Sequence, residues 1–248
     1  MSFDVADYLQ TFSRLAAGRG FVREVVAAVG GYEIPAFTRS VAGGARVYLS
    51  SGMHGDEPAG PRAVMEMMAE GCFGNEVEWR ICPLINPTGI AAGTRGNAQG
   101  VDLNRDYLRM ATDEVRGHVG WLARQPVPDV FLSLHEDWES SGFYLYEIQK
   151  YACASVAHSI LEAAAAEIEP EPSPVIDDHQ VREPGWIFHK PRADFPEDWP
   201  EAIYMAQRGT QVSYTLETPS SLELERRVAC HKLAVCKAVE ELLLTRGA

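Results

Sequence analysis

His54 and Glu57 stand three residues apart in the segment ARVYLSSGMHGDEPAG, directly after a run that reads as a buried strand. An imidazole and a carboxylate at that spacing can reach one zinc ion from one short loop. Catalytic zinc takes three protein ligands and keeps a further position for water. An HxxE pair alone also arises by chance, and the plain alternative is a surface His beside a helix-start Glu. Its position strengthens it, because α/β proteins place ligand sites where a strand hands over to a helix.

A third ligand should come from another strand end. His135 closes VFLSLH before the polar run EDWESSG and is the candidate. His118, His158 and His231 fall in segments that read as helices. His179 and His189 fall in a long acidic loop and are candidates for contact with substrate.

A zinc-activated water needs a base. Glu217 ends the apolar strand QVSYTLE, which would hold its carboxylate at the rim of the sheet; the alternative is a strand-end Glu facing solvent. Such a base takes a proton from the attacking water and returns it to the leaving amine. The carbonyl oxygen under attack becomes anionic and needs a fixed positive partner. Arg95, in GTRGN, is the candidate. Asn104 and Arg105, in DLNRD, would suit capture of a substrate carboxylate; for Arg105 the alternative is an ion pair with Asp102 or Asp106.

The elements that must position these groups read as follows. A helix covers 4–18, and strands at 21–29 and 32–39 flank the turn signal Gly30-Gly31. A strand at 45–52 leads into a helix at 59–71, with Pro58 and Pro61 near its start. A strand follows at 77–85. Residues 86–106 lack periodicity and read as a long ordered, functional loop. Then come a helix at 111–124, strands at 130–135 and 142–148, and a helix at 152–168. Residues 170–200 are dense in Pro, Asp and Glu and read as a loop or lid. A strand at 211–217 and a helix at 221–246 close the chain. Strands alternating with helices imply an α/β layered fold, and the early hairpin makes its sheet mixed. No linker divides the chain, so one domain over 1–248 is expected.

These motifs carry a resemblance. HGDE, then NPTG…TRGNAQGVDLNRD, then a strand-end His, then TLETP, in that order over about 45–220, resemble the zinc carboxypeptidase superfamily. It includes carboxypeptidase A-like enzymes, murein-peptide amidases, and the succinylglutamate desuccinylase and aspartoacylase branch. The resemblance implies a mixed, about eight-stranded central sheet with helices on both faces and one Zn2+ per chain. Carried over by motif, it makes His54, Glu57 and His135 the ligands and Glu217 the general base. Arg95 becomes the carbonyl polariser, and Asn104 and Arg105 the substrate-carboxylate anchors. The implied activity is a metallocarboxypeptidase or peptide amidase, acting on a small peptide. The alternatives are an N-acyl amino acid deacylase and a non-catalytic zinc-binding protein. NPTG, GVDLNRD and TLETP look closer to carboxypeptidases and murein amidases; the acylases usually carry Glu-Val-Gly or Glu-Leu-Gly where this chain has Glu217-Thr218-Pro219. Tyr204 is the nearest match to the mobile tyrosine of the digestive enzymes.

Composition sets outer bounds. Hydrophobic content of 46% and charged content of 23% over 248 residues suit a globular protein. A net charge of −13 disfavours nucleic acid and anionic membranes as partners. The N-terminal segment has no secretory pattern and no run reaches membrane-spanning length, so a cytoplasmic location is expected. Five cysteines without CxxC spacing read as reduced, mostly buried thiols. Arg182, Lys190 and Arg192 in the 170–200 loop read as surface charges rather than substrate contacts. Oligomeric state has no signature in the sequence.

Overall fold

A computed structural model describes residues 3–247; Met1, Ser2 and Ala248, inside the expected 1–248 domain, lie outside the described residues. The strands are β1 (Val22–Val29), β2 (Tyr32–Arg39), β3 (Ala45–Ser51), β4 (Val77–Cys82), β5 (Val130–Asp137), β6 (Tyr144–Gln149), β7 (Val175–Ile176), β8 (His179–Gln180), β9 (Trp186–His189) and β10 (Val212–Pro219). The helices are α1 (Val5–Gly18), α2 (Ala59–Glu70), α3 (Pro87–Ala92), α4 (Asp113–Arg124), α5 (Ala157–Ala164), α6 (Glu201–Arg208) and α7 (Leu224–Gly247), with a 3-10 turn at Leu103–Arg105.

Eight strands form one mixed sheet in the order β1-β2-β4-β3-β5-β10-β6-β9. The centre, β4-β3-β5-β10, is parallel. The hairpin β1–β2 joins antiparallel on one side, and on the other β6 runs antiparallel to β10 while β9 runs parallel to β6. Helices cover both faces. Side chains alternate across a strand, so Val47, Leu49, Leu132, Leu134 and Leu216 pack with α1, α2, α5 and α7. Tyr48 and Phe131 point the other way and pack with α4 and α6. The polar side chains Ser50, Ser133, His135 and Glu217 occupy the same phase as that second set. The sheet therefore sorts its chemistry onto one face.

Several elements differ from the sequence reading. The supposed loop 86–106 contains α3, built by local chemistry: Asn86 accepts the Gly89 N–H at 2.8 Å, Pro87 sits in the first turn, and Gly93 at φ 64° ends it. The stretch 170–200 contains the β7–β8 hairpin and β9, the sheet's edge strand. At four residues, β9 is too short for alternation to stand out. Helix α6 falls where no element was expected. Helix α5 is shorter than 152–168, because Ser155 turns its hydroxyl onto the Ala157 N–H and Glu147 instead of continuing the helix. Only Cys82 and Cys230 are buried; Cys153 is half-buried, and Cys72 and Cys236 are exposed free thiols. No helix among the described residues is long and apolar enough to cross a membrane.

Candidate metal centre and its cavity

Parallel strands β3, β5 and β10 end together, and the candidate residues sit at those ends. After Ser51, Gly52 turns the chain at φ 65° into the loop that carries His54 and Glu57. Gly55 packs that loop down. A Cβ there would lie 1.9 Å from the Gly89 carbonyl carbon and 2.4 Å from the Thr94 carbonyl oxygen. The Gly55 N–H donates to that Thr94 oxygen at 3.0 Å. This contact brings the following residue, Arg95, to the loop of His54 and Glu57.

His54, Glu57 and His135 converge and are all buried. His54 Nδ1 lies 2.6 Å from Glu57 Oε1, His135 Nδ1 lies 2.9 Å from Glu57 Oε2, and the two Nδ1 atoms are 3.3 Å apart. The spacing between the two nitrogens is the edge of a tetrahedron around an ion bonded at about 2 Å, while the two shorter contacts to Glu57 are hydrogen-bond distances. Two imidazoles and a carboxylate are also the donor set of catalytic zinc. These residues therefore fit a zinc ion. Burial alone would lower the His54 pKa, but Glu57 and Asp102 outweigh it and lift it to about 9. Burial would raise Glu57, and His54 with His135 hold it well below the carboxylate range instead. The trio favours positive charge at its centre.

Asp102 organises the next layer. Its Oδ1 lies 3.1 Å from His54 Nε2 and accepts the Asn104 N–H at 2.8 Å. Its Oδ2 accepts Arg95 Nε at 3.1 Å. Carboxylates behind ligating histidines fix the tautomer and ring orientation. Arg95 also places Nη1 3.3 Å from Glu57 Oε1. Sequence reading considered Asp102 only as a partner for Arg105, yet it serves His54 and Arg95. The Arg105 guanidinium donates to the Asn104 carbonyl at 2.9 Å and borders the cavity.

Two helices at the site lack side-chain caps of their own and borrow them. The Ala59 N–H of α2 donates to Glu136 Oε1 at 2.6 Å, and Arg227 of α7 pairs with the other oxygen. Burial pushes Glu136 up to about 7 against these partners. The Glu201 N–H of α6 donates to Asn104 Oδ1 at 2.9 Å. Such caps contribute about 1 kcal/mol each, and they tie the metal loop and the LNR turn to the helices beside the site. Neither Glu136 nor Glu201 stood out in the sequence, since both act through tertiary neighbours.

Glu217 lies beside His135 in register on the neighbouring strand. Burial raises its pKa well above the usual carboxylate value, with Glu57 and Asp137 adding to the effect and Arg95 opposing it. His54, Glu57, His135, Glu217, Arg95 and Arg105 all border one cavity of about 860 Å³, as does Asn104. Tyr204 is not among its lining residues; it packs near Tyr107, while Tyr144 and Tyr146 face the cavity. Arg182 stacks over Phe188, and neither it nor Lys190 nor Arg192 lines the cavity.

Fold and site define the zinc carboxypeptidase-like superfamily. Within it, the chain belongs to the succinylglutamate desuccinylase/aspartoacylase catalytic domain family, which matches residues 43–173. That match ends before Glu217-Thr218-Pro219, the segment that looks closer to carboxypeptidases. A curated relative, Carboxypeptidase 2 of Trichophyton tonsurans, is 29% identical over 101 residues. The matched stretch is 37% of this chain and 18% of that protein, so it represents under a fifth of the relative's length. A candidate metallopeptidase from Shewanella denitrificans shares the fold at a TM-score of 0.84 and 22% identity, over 96% of this chain and 90% of that one. A metallo-carboxypeptidase from Burkholderia cenocepacia does so at 0.73 and 16% identity, over 98% and 70%.

Proposed function

We propose that this chain is a zinc-dependent metallocarboxypeptidase or peptide amidase, hydrolysing an amide next to a free carboxylate on a small peptide. One observation carries the reading: the convergent His54, Glu57 and His135 donors share a cavity with Glu217 and Arg95. Zinc held by these three residues would acidify a water and polarise the carbonyl. Glu217 takes a proton from the attacking water. The carbonyl carbon gains the water oxygen, the C–N bond breaks, and Glu217 returns the proton to the leaving nitrogen. Arg95 donates to the oxygen as it becomes anionic. The Asn104 amide, whose oxygen is engaged by α6, has its N–H groups for the substrate carboxylate, and Arg105 supplies the charge.

The family match supports a second reading, deacylation of N-acyl amino acids, which would use the same metal site. Purified protein should contain one tightly held zinc ion in the His54–Glu57–His135 cluster. It should cleave dipeptides or murein peptides faster than N-succinyl or N-acetyl amino acids, lose activity with chelator and regain it with Zn2+. Preference for the acyl amino acids would favour the second reading. Metal and ligand binding without turnover would leave a zinc-containing binding protein.

A further inference from the structure

Two histidines outside the proposed catalytic centre make a second cluster in the cavity wall. His179 lies on β8, His189 ends β9, and Asp194 belongs to the segment that follows. His189 Nε2 lies 2.9 Å and His179 Nε2 3.4 Å from the same oxygen, Asp194 Oδ2. The other ring nitrogens are already committed. His179 Nδ1–H donates to the Asp177 carbonyl at 2.5 Å, and His189 Nδ1–H donates to the Lys190 carbonyl at 2.7 Å. A neutral imidazole that donates through Nδ1 presents a bare lone pair at Nε2. Both Nε2 atoms thus face one carboxylate oxygen, and a cation, either a proton on each ring or a metal ion, must lie between them. Backbone carbonyls behind both rings are the partners that ligating histidines usually have.

We propose that His179, His189 and Asp194 form a second metal site, for a divalent ion of the zinc class, in the wall of the cavity. Two nitrogens and one carboxylate oxygen suit zinc rather than magnesium or calcium. Tyr146 buttresses the cluster: its ring stands edge-on to both imidazoles, at 5.7 and 6.3 Å between centroids, and its hydroxyl donates to Asp177 Oδ2 at 2.6 Å. An ion here would tie the 190–200 segment to the β7–β8 hairpin and the sheet edge, which already pack together through Ile176 and Ile187. Its role is therefore to pin the acidic segment as a fixed wall. Three ligands leave a position open toward the cavity.

The test counts ions on the intact chain, stripped and then equilibrated with Zn2+ against a weak chelator. Two ions per chain are expected, falling to one in His189→Gln and in Asp194→Asn, to one in His135→Gln, and to none in the His135→Gln/His189→Gln pair. The ion kept by each single variant reports that it is folded. Proteolysis within 170–200 should slow with Zn2+ in the parent and not in His189→Gln. One ion in the parent, kept by His189→Gln and lost by His135→Gln, would overturn the second site and leave the first intact. An ion kept by His135→Gln and lost only with His189→Gln would support the second site alone.

Discussion

Glu201 and Glu217 both border the cavity, and their surroundings give them different tasks. Glu201 is buried at the start of α6, where Tyr48 donates to one of its oxygens at 2.6 Å and Ser50 to the other at 2.7 Å. Tyr48 also meets His118 Nε2 at 2.7 Å, and Tyr107 meets His118 Nδ1 at 2.8 Å. Because Tyr48 gives its proton to Glu201, His118 must donate through Nε2 and accept the Tyr107 hydroxyl at Nδ1. Burial lifts Glu201 from 4.5 to about 7, with the two hydroxyl donors opposing. The sign follows. The unfolded chain loses this proton near pH 4.5 and the folded chain only near pH 7. Stability from this group is thus full below pH 4.5, falls between 4.5 and 7, and is lost above, by about 3 kcal/mol. Thermal unfolding at pH 5 and pH 8 should show a fall in the parent that is smaller in Glu201→Gln, with the remainder due to Glu136 and Glu217, which burial also raises. Asp102 makes a different prediction. Without its contact to His54, metal affinity in Asp102→Ala should drop about 10–100-fold, measured by chelator competition. The convergence of His54, Glu57 and His135 was legible because these candidate ligands follow or close apolar runs. Asp102 was visible only as one acid among neighbours, since which cation it serves depends on how the loops fold over one another.

At the level of elements, the close approach of two loops decides the geometry. The Gly55 backbone rests on Gly89 and Thr94, so no side chain fits at that position. In Gly55→Ala the metal loop must lift away from α3, carrying His54 and Glu57 from His135. Destabilisation of about 1–3 kcal/mol is expected, as for other overpacked sites, together with weaker metal binding; denaturant unfolding and chelator competition would measure both. An unchanged metal affinity would mean that the loop is held otherwise. The central strands β3, β5 and β10 were plain in the sequence as compact apolar runs ended by polar residues. Their alternation also placed the polar side chains on one face. Helix α6 and edge strand β9 were not plain. Each is short, follows a Pro- and acid-rich stretch, and takes its stability from neighbours: α6 from the Asn104 cap, β9 from pairing with β6. The turn chemistry of α3, by contrast, was present in Asn86, Pro87 and Gly93 and could have been read.

For the molecule as a whole, the excess of negative charge reaches the cavity. Asp137, Glu171, Asp177, Asp178 and Asp198, none of them a ligand of the proposed second ion, line it, against the guanidinium groups of Arg95 and Arg105. With Arg95 turned to the carbonyl oxygen, Arg105 can meet one carboxylate, and a second one on the substrate would face a wall of like charge. Peptides with a neutral or basic side chain should therefore have kcat/KM values at least 10-fold above N-succinyl amino acids, and the gap should narrow as salt is raised. The strand order puts β3, β5 and β10 side by side, and this is what gathers His54, His135, 81 positions on, and Glu217, further still. The central claim is that Glu217 acts as the base beside a zinc ion held by His54, Glu57 and His135. Its most direct test is Glu217→Gln, with metal content and turnover measured on the same preparation. Zinc should remain at the parent level while kcat falls by about 100-fold or more on every substrate the parent cleaves. Full zinc with unchanged turnover would contradict the account.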